Sequence, residues 1–253
     1  MLTSVWAIAL TVTLQGSAPT PTPTPTPTKA AAATTDDQPL THLFQNLVHD
    51  LAALPSLRTA RILGIGSTIT LATRPSDADI DARILAGGTT RITRLGGIAG
   101  DGWLQAAVAL TTYGIGAAGH HAKVAHIGSD LIRAQVLNGV LTNGLKLAVR
   151  RERPTGGPRS FPSGHTSAAF ATAAVIDGHY GWKAGLPMYA LAGFVGWSRV
   201  RDRDHWLSDI IFGGTIGIIA GRTTSSTHRT STWSVTPSRT AGGFAIYVTR
   251  IGR

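Results

Sequence analysis

Between Pro39 and Arg222 the apolar positions recur mainly at helical spacing. Leu43, Leu47, Leu51 and Leu54 fall three or four residues apart, so they share one face and predict a helix that Pro55-Ser56 ends. Arg58 to Leu71 predicts a second apolar helix, closed before Pro75, and Asp77 to Leu85 a short amphipathic one. Gly102 to Ala118 is a Gly/Ala-rich apolar helix. His121 to Glu152 reads as one long helix with Ile127, Leu131, Val136, Leu141, Leu145 and Val149 on or near one face, stopped by Pro154. Gly156-Gly157-Pro158 marks a loop. Three apolar segments follow: Thr166 to Ile176, Ala184 to Trp197, and Leu207 to Ala220. Each is shorter than the roughly 20 residues a spanning helix needs. Pro187 and several glycines interrupt them, so they read as buried helices of a soluble bundle, with membrane association as the alternative. Past Arg222 the period changes. Thr223 to Thr230 is a polar Ser/Thr loop, and Ser231 to Val235 and Gly243 to Thr249 alternate as strands joined by a Pro/Gly-containing turn, which predicts a small C-terminal β-hairpin. The expected fold class is all-α.

The N-terminal part reads differently. Met1 to Ala18 holds an apolar stretch from Val5 to Leu14 and small residues at Gly16-Ser17-Ala18, the outline of an export signal, although no Lys or Arg precedes the stretch. Pro19 to Thr28 is a run of Pro-Thr pairs, which blocks helix and sheet and favours an extended spacer. The expected organisation is an export signal over 1–18, a Pro-Thr-rich disordered linker over 19–39, a helical domain over 40–222, and a polar loop with a hairpin tail over 223–253. It places the domain outside the cytoplasm, in a periplasm or the extracellular space.

Composition narrows the function. Lys+Arg total 23 against 13 Asp+Glu, a net charge of +10, yet charged residues are only 14% of the 253, well under the usual roughly 25%. The excess comes from scarce acids and not from a basic tail, which argues against a nucleic-acid partner and for an anion-handling or membrane-facing protein. Cysteine is absent, which excludes disulfides, thiolate metal sites and thiol catalysis.

Three clusters carry candidate chemistry. Lys146 and Arg153 stand seven apart, two helical turns, and so share one face suited to a multiply charged anion. Pro162-Ser163-Gly164-His165 opens an apolar helix: Ser163 is an N-cap, Gly164 lets backbone approach a ligand, the helix start favours phosphate-like anions, and His165 can donate a proton there. Arg199, His205 and Asp209 lie in the third cluster, with His205 and Asp209 four apart, where a carboxylate can fix an imidazole's tautomer and stabilise its positive form. Taken singly, each cluster is also what a solvated helix end, a capped helix or a surface pair would look like. His120, His121 and His126, near Lys123, offer further imidazoles, but no carboxylate or Cys set nearby completes a metal shell, so surface or core roles are expected for them. Arg150, Arg151, Arg201 and Arg203 either widen the positive field or are solvated, Asp202 and Asp204 are candidate partners for them, and Trp206 is expected to pack in the core.

In order and spacing, Lys-six residues-Arg-Pro, Pro-Ser-Gly-His, and Ser-Arg-five residues-His-three residues-Asp resemble the signature of the type 2 phosphatidic acid phosphatase and vanadium haloperoxidase superfamily, in the manner of a bacterial acid phosphatase. The resemblance covers Lys146 to Asp209 as motif. It implies a helical bundle in which the clusters converge, and hydrolysis of soluble or lipid phosphate monoesters through a phosphohistidine. His205 would be the nucleophile, Asp209 its orienting carboxylate, and His165 the proton donor to the leaving alkoxide and then the base for water. Lys146, Arg153, Arg199, Ser163 and Gly164 would hold the phosphoryl oxygens. Fixed cations can replace metal ions in such chemistry, so no metal or other cofactor is expected. His205 should start neutral and His165 protonated, giving a bell-shaped pH dependence on the acidic-to-neutral side. The same residues suit a vanadate-dependent haloperoxidase, with vanadate bound at His205, or a membrane-embedded phosphatase acting on lipid or isoprenoid pyrophosphates. A non-enzymatic anion-binding protein is the reading the His-Asp-His set disfavours.

Overall fold

The computed structural model describes residues 7–11, 43–84, 90–227, 232–240 and 243–251. The Pro-Thr linker expected over 19–39 lies outside these residues. The rest form two units, one within Thr35–Thr227 and one drawn from both chain ends.

The larger unit is helical throughout. Its elements are α1 (Leu43–Ala53), α2 (Leu57–Thr73), α3 (Asp77–Ile84), α4 (Arg91–Gly100), α5 (Gly102–Ala118), α6 (Ala122–Val149), α7 (Gly164–Tyr180), α8 (Trp182–Arg201) and α9 (Leu207–Thr227). Helix α7 sits in the middle, packed against α6, α8 and α9, while α5 lies along α6, α2 along α9 and α4 along α8. Small residues set these approaches. A Cβ on Gly217 of α9 would fall 2.2 Å from the Ser167 carbonyl of α7, and one on Gly213 would fall 2.7 Å from the Ser163 carbonyl. Bare backbone at these two positions is what lets α9 reach the start of α7. The buried core is correspondingly fine-grained, with Ala171, Val175, Leu131, Ile127 and Ala134 in one cluster and Ala169, Ala173, Ala192 and Val195 in another.

Several boundaries differ from those expected. Helix α4 was not anticipated: Gly96, Gly97 and Gly100 dilute its apolar period, yet a reciprocal Thr90–Thr93 cap starts it and contact with α8 stabilises it. Helix α6 stops at Val149, not Glu152, because Arg150 adopts a left-handed conformation, φ 50°. Pro187 lies inside α8, past its first turn, and the helix continues through it to Arg201. Helix α9 runs on to Thr227, taking in the first part of the expected Ser/Thr loop. Thr223 Oγ1 donates to Ile219 O at 2.8 Å and Ser225 Oγ to Gly221 O at 2.8 Å, so these hydroxyls satisfy themselves within the helix.

The second unit is a three-stranded antiparallel sheet in the order β1 (Ala7–Thr11), β3 (Gly243–Ile251), β2 (Thr232–Thr240). β2 and β3 form the expected hairpin, longer at both ends than the alternation indicated. β2 is an edge strand, where Pro237 costs no ladder bond on its open side. Ala7–Thr11, inside the segment expected as an export signal, pairs with β3.

Candidate active site

The site lies in the helical unit, where the C-terminal end of α6, the start of α7, the end of α8 and the start of α9 meet. His205 occupies the short connection before α9 and is 3% exposed. Its Nδ1 faces Asp209 Oδ2 at 3.7 Å, beyond hydrogen-bond length, with Ser160 Oγ beside it at 3.4 Å. The Nδ1 edge therefore belongs to the carboxylate and the hydroxyl, which leaves Nε2 to carry the lone pair. Burial, reinforced by the charges of Lys146 and Arg153, pushes the His205 imidazole below the ordinary histidine value.

Asp209 is fully buried. Its Oδ1 accepts from Arg151 Nη1 at 2.7 Å, and its Oδ2 accepts from Trp206 N at 3.0 Å and from the Ser160 hydroxyl. Burial alone would raise this carboxyl, but the facing His205 imidazole, the Ser160 hydroxyl, the Arg151 charge and the Trp206 amide outweigh it and hold Asp209 below the usual carboxylate range. The Asp209 carbonyl accepts from Ser163 N at 3.1 Å, which ties the third cluster to the second.

Ser163 caps α7: its Oγ takes the Thr166 amide at 3.5 Å and meets Thr166 Oγ1 at 2.9 Å. Lys146 approaches from α6. A Cβ on Gly164 would sit 3.8 Å from its Cε, and its Nζ donates to the Arg159 carbonyl at 2.8 Å. Arg153 holds Asp204 Oδ1 loosely at 3.4 Å. Arg199 is more fully engaged than a free phosphate ligand: Asp204 at 2.9 Å, Asp202 at 2.7 Å and the Thr93 carbonyl at 3.1 Å all accept from it. His165 and Arg199 line one pocket of about 400 Å³, together with Arg94, Ile98, Asp101, Leu104 and Asp202.

The surroundings of His165 act against the protonated state expected for it. Burial first, then the charge of Arg199 and the neighbouring His205 imidazole, push it below the ordinary histidine value. The motif supplies cations around this imidazole before any dianion arrives, and a bound phosphate is what would restore its proton.

Sequence reasoning missed several partners. Arg151 is no solvated flank. Its guanidinium bridges Asp209 and Asp77 Oδ2, the latter at 2.8 Å, donates to Ser208 Oγ at 2.7 Å, and stands 5.2 Å from the Trp206 ring. Asp77 of α3 is buried and accepts from Ser208 N at 3.0 Å. Ser160 supports both His205 and Asp209. Only three-dimensional closure brings α3 here, so spacing gave no signal for Asp77. Arg203 also reaches α3, forking onto Asp81 at 2.8 Å. Trp206 is half-buried and donates its indole N–H to the Glu152 carbonyl at 2.8 Å, a bracing contact and not core packing.

Lys146 yields a pH prediction. Burial, then the neighbouring Arg153, lowers its ammonium to about 8. The charged form exists below that value and is lost as pH rises through it. In the free protein, anion binding should therefore decline above about pH 8. Lys146→Arg should move that limb more than a unit upward, because guanidinium stays charged. Phosphate or vanadate affinity measured from pH 6 to 10 checks this; an identical alkaline limb in both proteins contradicts it.

Comparison with known proteins places this geometry in context. The PAP2 superfamily model matches residues 128–233. A lipid A 1-phosphatase of Porphyromonas gingivalis is 37% identical over 99 residues, 37% of this chain and 22% of that protein. A lipid A 4'-phosphatase of Helicobacter pylori is 33% identical over 79 residues, 31% of this chain and 40% of that protein. The chain thus spans less than half the length of these curated relatives. Two solved structures are similar at lower identity. Aquifex aeolicus LpxE is 22% identical with a TM-score of 0.48, covering 58% of this chain and 93% of its own. A transmembrane PAP2 type phosphatidylglycerolphosphate phosphatase from Bacillus subtilis is 19% identical with a TM-score of 0.43, covering 74% of this chain and 94% of its own. The family match encloses every residue of the three clusters, from Lys146 to Asp209, so the part of the chain that carries the site is similar to the PAP2 superfamily.

Proposed function

We propose that this chain is a metal-independent phosphatase that hydrolyses a phosphate monoester carried on a lipid. The reaction follows from the atoms available. His205 Nε2 attacks phosphorus and the P–O bond to the lipid alkoxide breaks, while His165 supplies the proton that the alkoxide takes up. His165, now neutral, then accepts a proton from water, whose oxygen attacks the phosphohistidine and releases phosphate. Asp209 holds the His205 ring and its developing positive charge. Lys146, Arg153 and Arg199 neutralise the phosphoryl oxygens, and the Gly164 backbone at the start of α7 adds donors.

The observation that carries the lipid reading is the setting of the pocket containing His165 and Arg199. Its wall includes Ile98 and Leu104, both exposed. Beside them Trp103 is 84% exposed, and Leu95 and Ile92 are exposed on the same α4. A wide apolar surface around a polar pocket is what a lipid-borne substrate needs and a soluble ester does not. Among the described residues no helix is long and apolar enough to cross a membrane, so the proposal requires only that this face meets lipid. Both curated relatives are named for phosphatases of lipid A, which supports the same substrate class. Among the residues lining the pocket, Asp202 has a buried Oδ1 with no hydrogen-bond partner among the described residues.

The test compares the full chain on a phosphorylated lipid in mixed micelles and on a soluble aryl phosphate, both with EDTA. The expected kcat/KM favours the lipid by about 100-fold or more, the binding contribution of the non-reacting part of the substrate. Equal values contradict the lipid reading. Phosphate released only from a lipid pyrophosphate, or halide oxidation after vanadate loading, supports the corresponding alternative chemistry instead.

A further inference from the structure

The far end of α7 carries a second cluster of ligand-type side chains. His179 lies in the last turn of α7, fourteen residues after His165, or about 21 Å along the helix. Opposite it, His126 and Asp130 lie one turn apart on α6. His179 Nε2 is 2.8 Å from Asp130 Oδ2, and His126 Nε2 is 3.6 Å from the same oxygen. The imidazole rings meet edge to face, their centroids 5.4 Å apart. All three donor atoms fall within 4.8 Å of one another. The carboxylate is 1% exposed and the histidines are 14% and 22% exposed, so the pair of rings forms the way in from solvent.

The surroundings fix this carboxylate as an outer shell would. Asp130 Oδ1 accepts from Arg133, whose guanidinium also takes Asp50 of α1. Oδ2 is left turned toward the two imidazoles. Burial opposes ionisation of Asp130, but His179, Arg133 and His126 together hold it below the usual carboxylate range, so it stays anionic. Lys123, three residues before His126, places its ammonium 4.5 Å from the Tyr180 ring centre.

We infer that His126, Asp130 and His179 form a binding site for one divalent transition cation of the zinc class. Two imidazole nitrogens and one carboxylate oxygen are a borderline-soft set that suits Zn²⁺ or Co²⁺, whereas Mg²⁺ and Ca²⁺ select oxygen ligands. Closing around a tetrahedral ion brings the donor atoms to about 3.3 Å apart, a side-chain adjustment, with water completing the shell. The ion would clip α6 to α7 at the end of the bundle away from His205, so its effect is on stability and not on phosphoryl chemistry. The sequence signal was incomplete: His126 and Asp130 show helical i,i+4 spacing, but His179 joins them only through the packing of α7 on α6.

The test uses the full chain without a polyhistidine tag, stripped with chelator, and titrated with Co²⁺ and then Zn²⁺. One equivalent of Co²⁺ should give the visible absorption of a tetrahedral N/O site, and Zn²⁺ at about 100 times its Kd should raise Tm by several degrees. His126→Gln and His179→Gln should each weaken binding by at least about tenfold. His165→Ala and His205→Ala should leave it unchanged. Failure to bind, or binding that survives both glutamine variants or disappears with the His165 and His205 variants, overturns the assignment. His126 is the more exposed ligand, so His126→Gln decides if His179→Gln does not fold. No readout depends on phosphatase activity, so this inference and the proposed function fail separately.

Discussion

Replacing His205 with alanine should reduce lipid phosphate hydrolysis by about 10⁴-fold or more, because it removes the group assigned to take the phosphoryl. The imidazole is buried, flanked on Nδ1 by Asp209 and Ser160, and held as the neutral base by its surroundings. A nucleophile in that state needs no prior deprotonation near neutral pH. Loss of His165 should be milder, about 10²- to 10⁴-fold, the usual worth of a general acid. With His205 pushed below the ordinary histidine value in the empty site, the acid limb of kcat/KM should lie below pH 6.5, the unperturbed histidine value. Steady-state rates for His205→Ala, with folding confirmed by circular dichroism, check the first effect. A residual rate within tenfold of wild type contradicts the assigned nucleophile.

The second large effect concerns a residue that touches no substrate. Arg151 is the shared counter-ion of two buried carboxylates, Asp209 at 2.7 Å and Asp77 at 2.8 Å. Removing it leaves both without their cation, and Arg151→Ala should destabilise the fold by about 3–5 kcal/mol, the cost of breaking a buried pair from one side. Lysine should not rescue it fully, because one ammonium cannot fork between Asp209, Ser208 and Asp77. The adjacent Arg150 is exposed and its side chain donates to its own helix end at Leu147 O. Arg150→Ala should therefore change stability by no more than about 1 kcal/mol. Urea unfolding of the two variants measures the contrast; similar losses would contradict the bridging role.

These neighbouring arginines also show where sequence reading reaches its limit. The clusters bearing Lys146, His165 and His205 were legible because their chemistry is local: a cap, a glycine, and an imidazole one turn from a carboxylate. The helices around them were legible from apolar spacing and from prolines at 55, 154 and 158. What could not be read was which charge meets which. Arg150 and Arg151 are equivalent in composition, yet a left-handed residue at 150 turns the chain and sends the next side chain into the site. Nothing in the local pattern singles out Asp77 or Asp130. Each is buried, because an arginine from another part of the chain or one turn along the helix neutralises it. Helix α4 and the last turn of α9 were missed for a related reason: glycine and hydroxyl residues have weak local preferences, and tertiary contact decides their conformation.

The account rests on a phosphorylated His205, and the direct measurement is to trap it. The full chain is mixed with a ³²P-labelled lipid monophosphate in EDTA and quenched in alkali within milliseconds. The expected result is label on the protein that is stable to base and labile to acid, maps to His205, and is absent from His205→Ala. Turnover without protein-bound label, label that persists in His205→Ala, or activity that EDTA abolishes would contradict it.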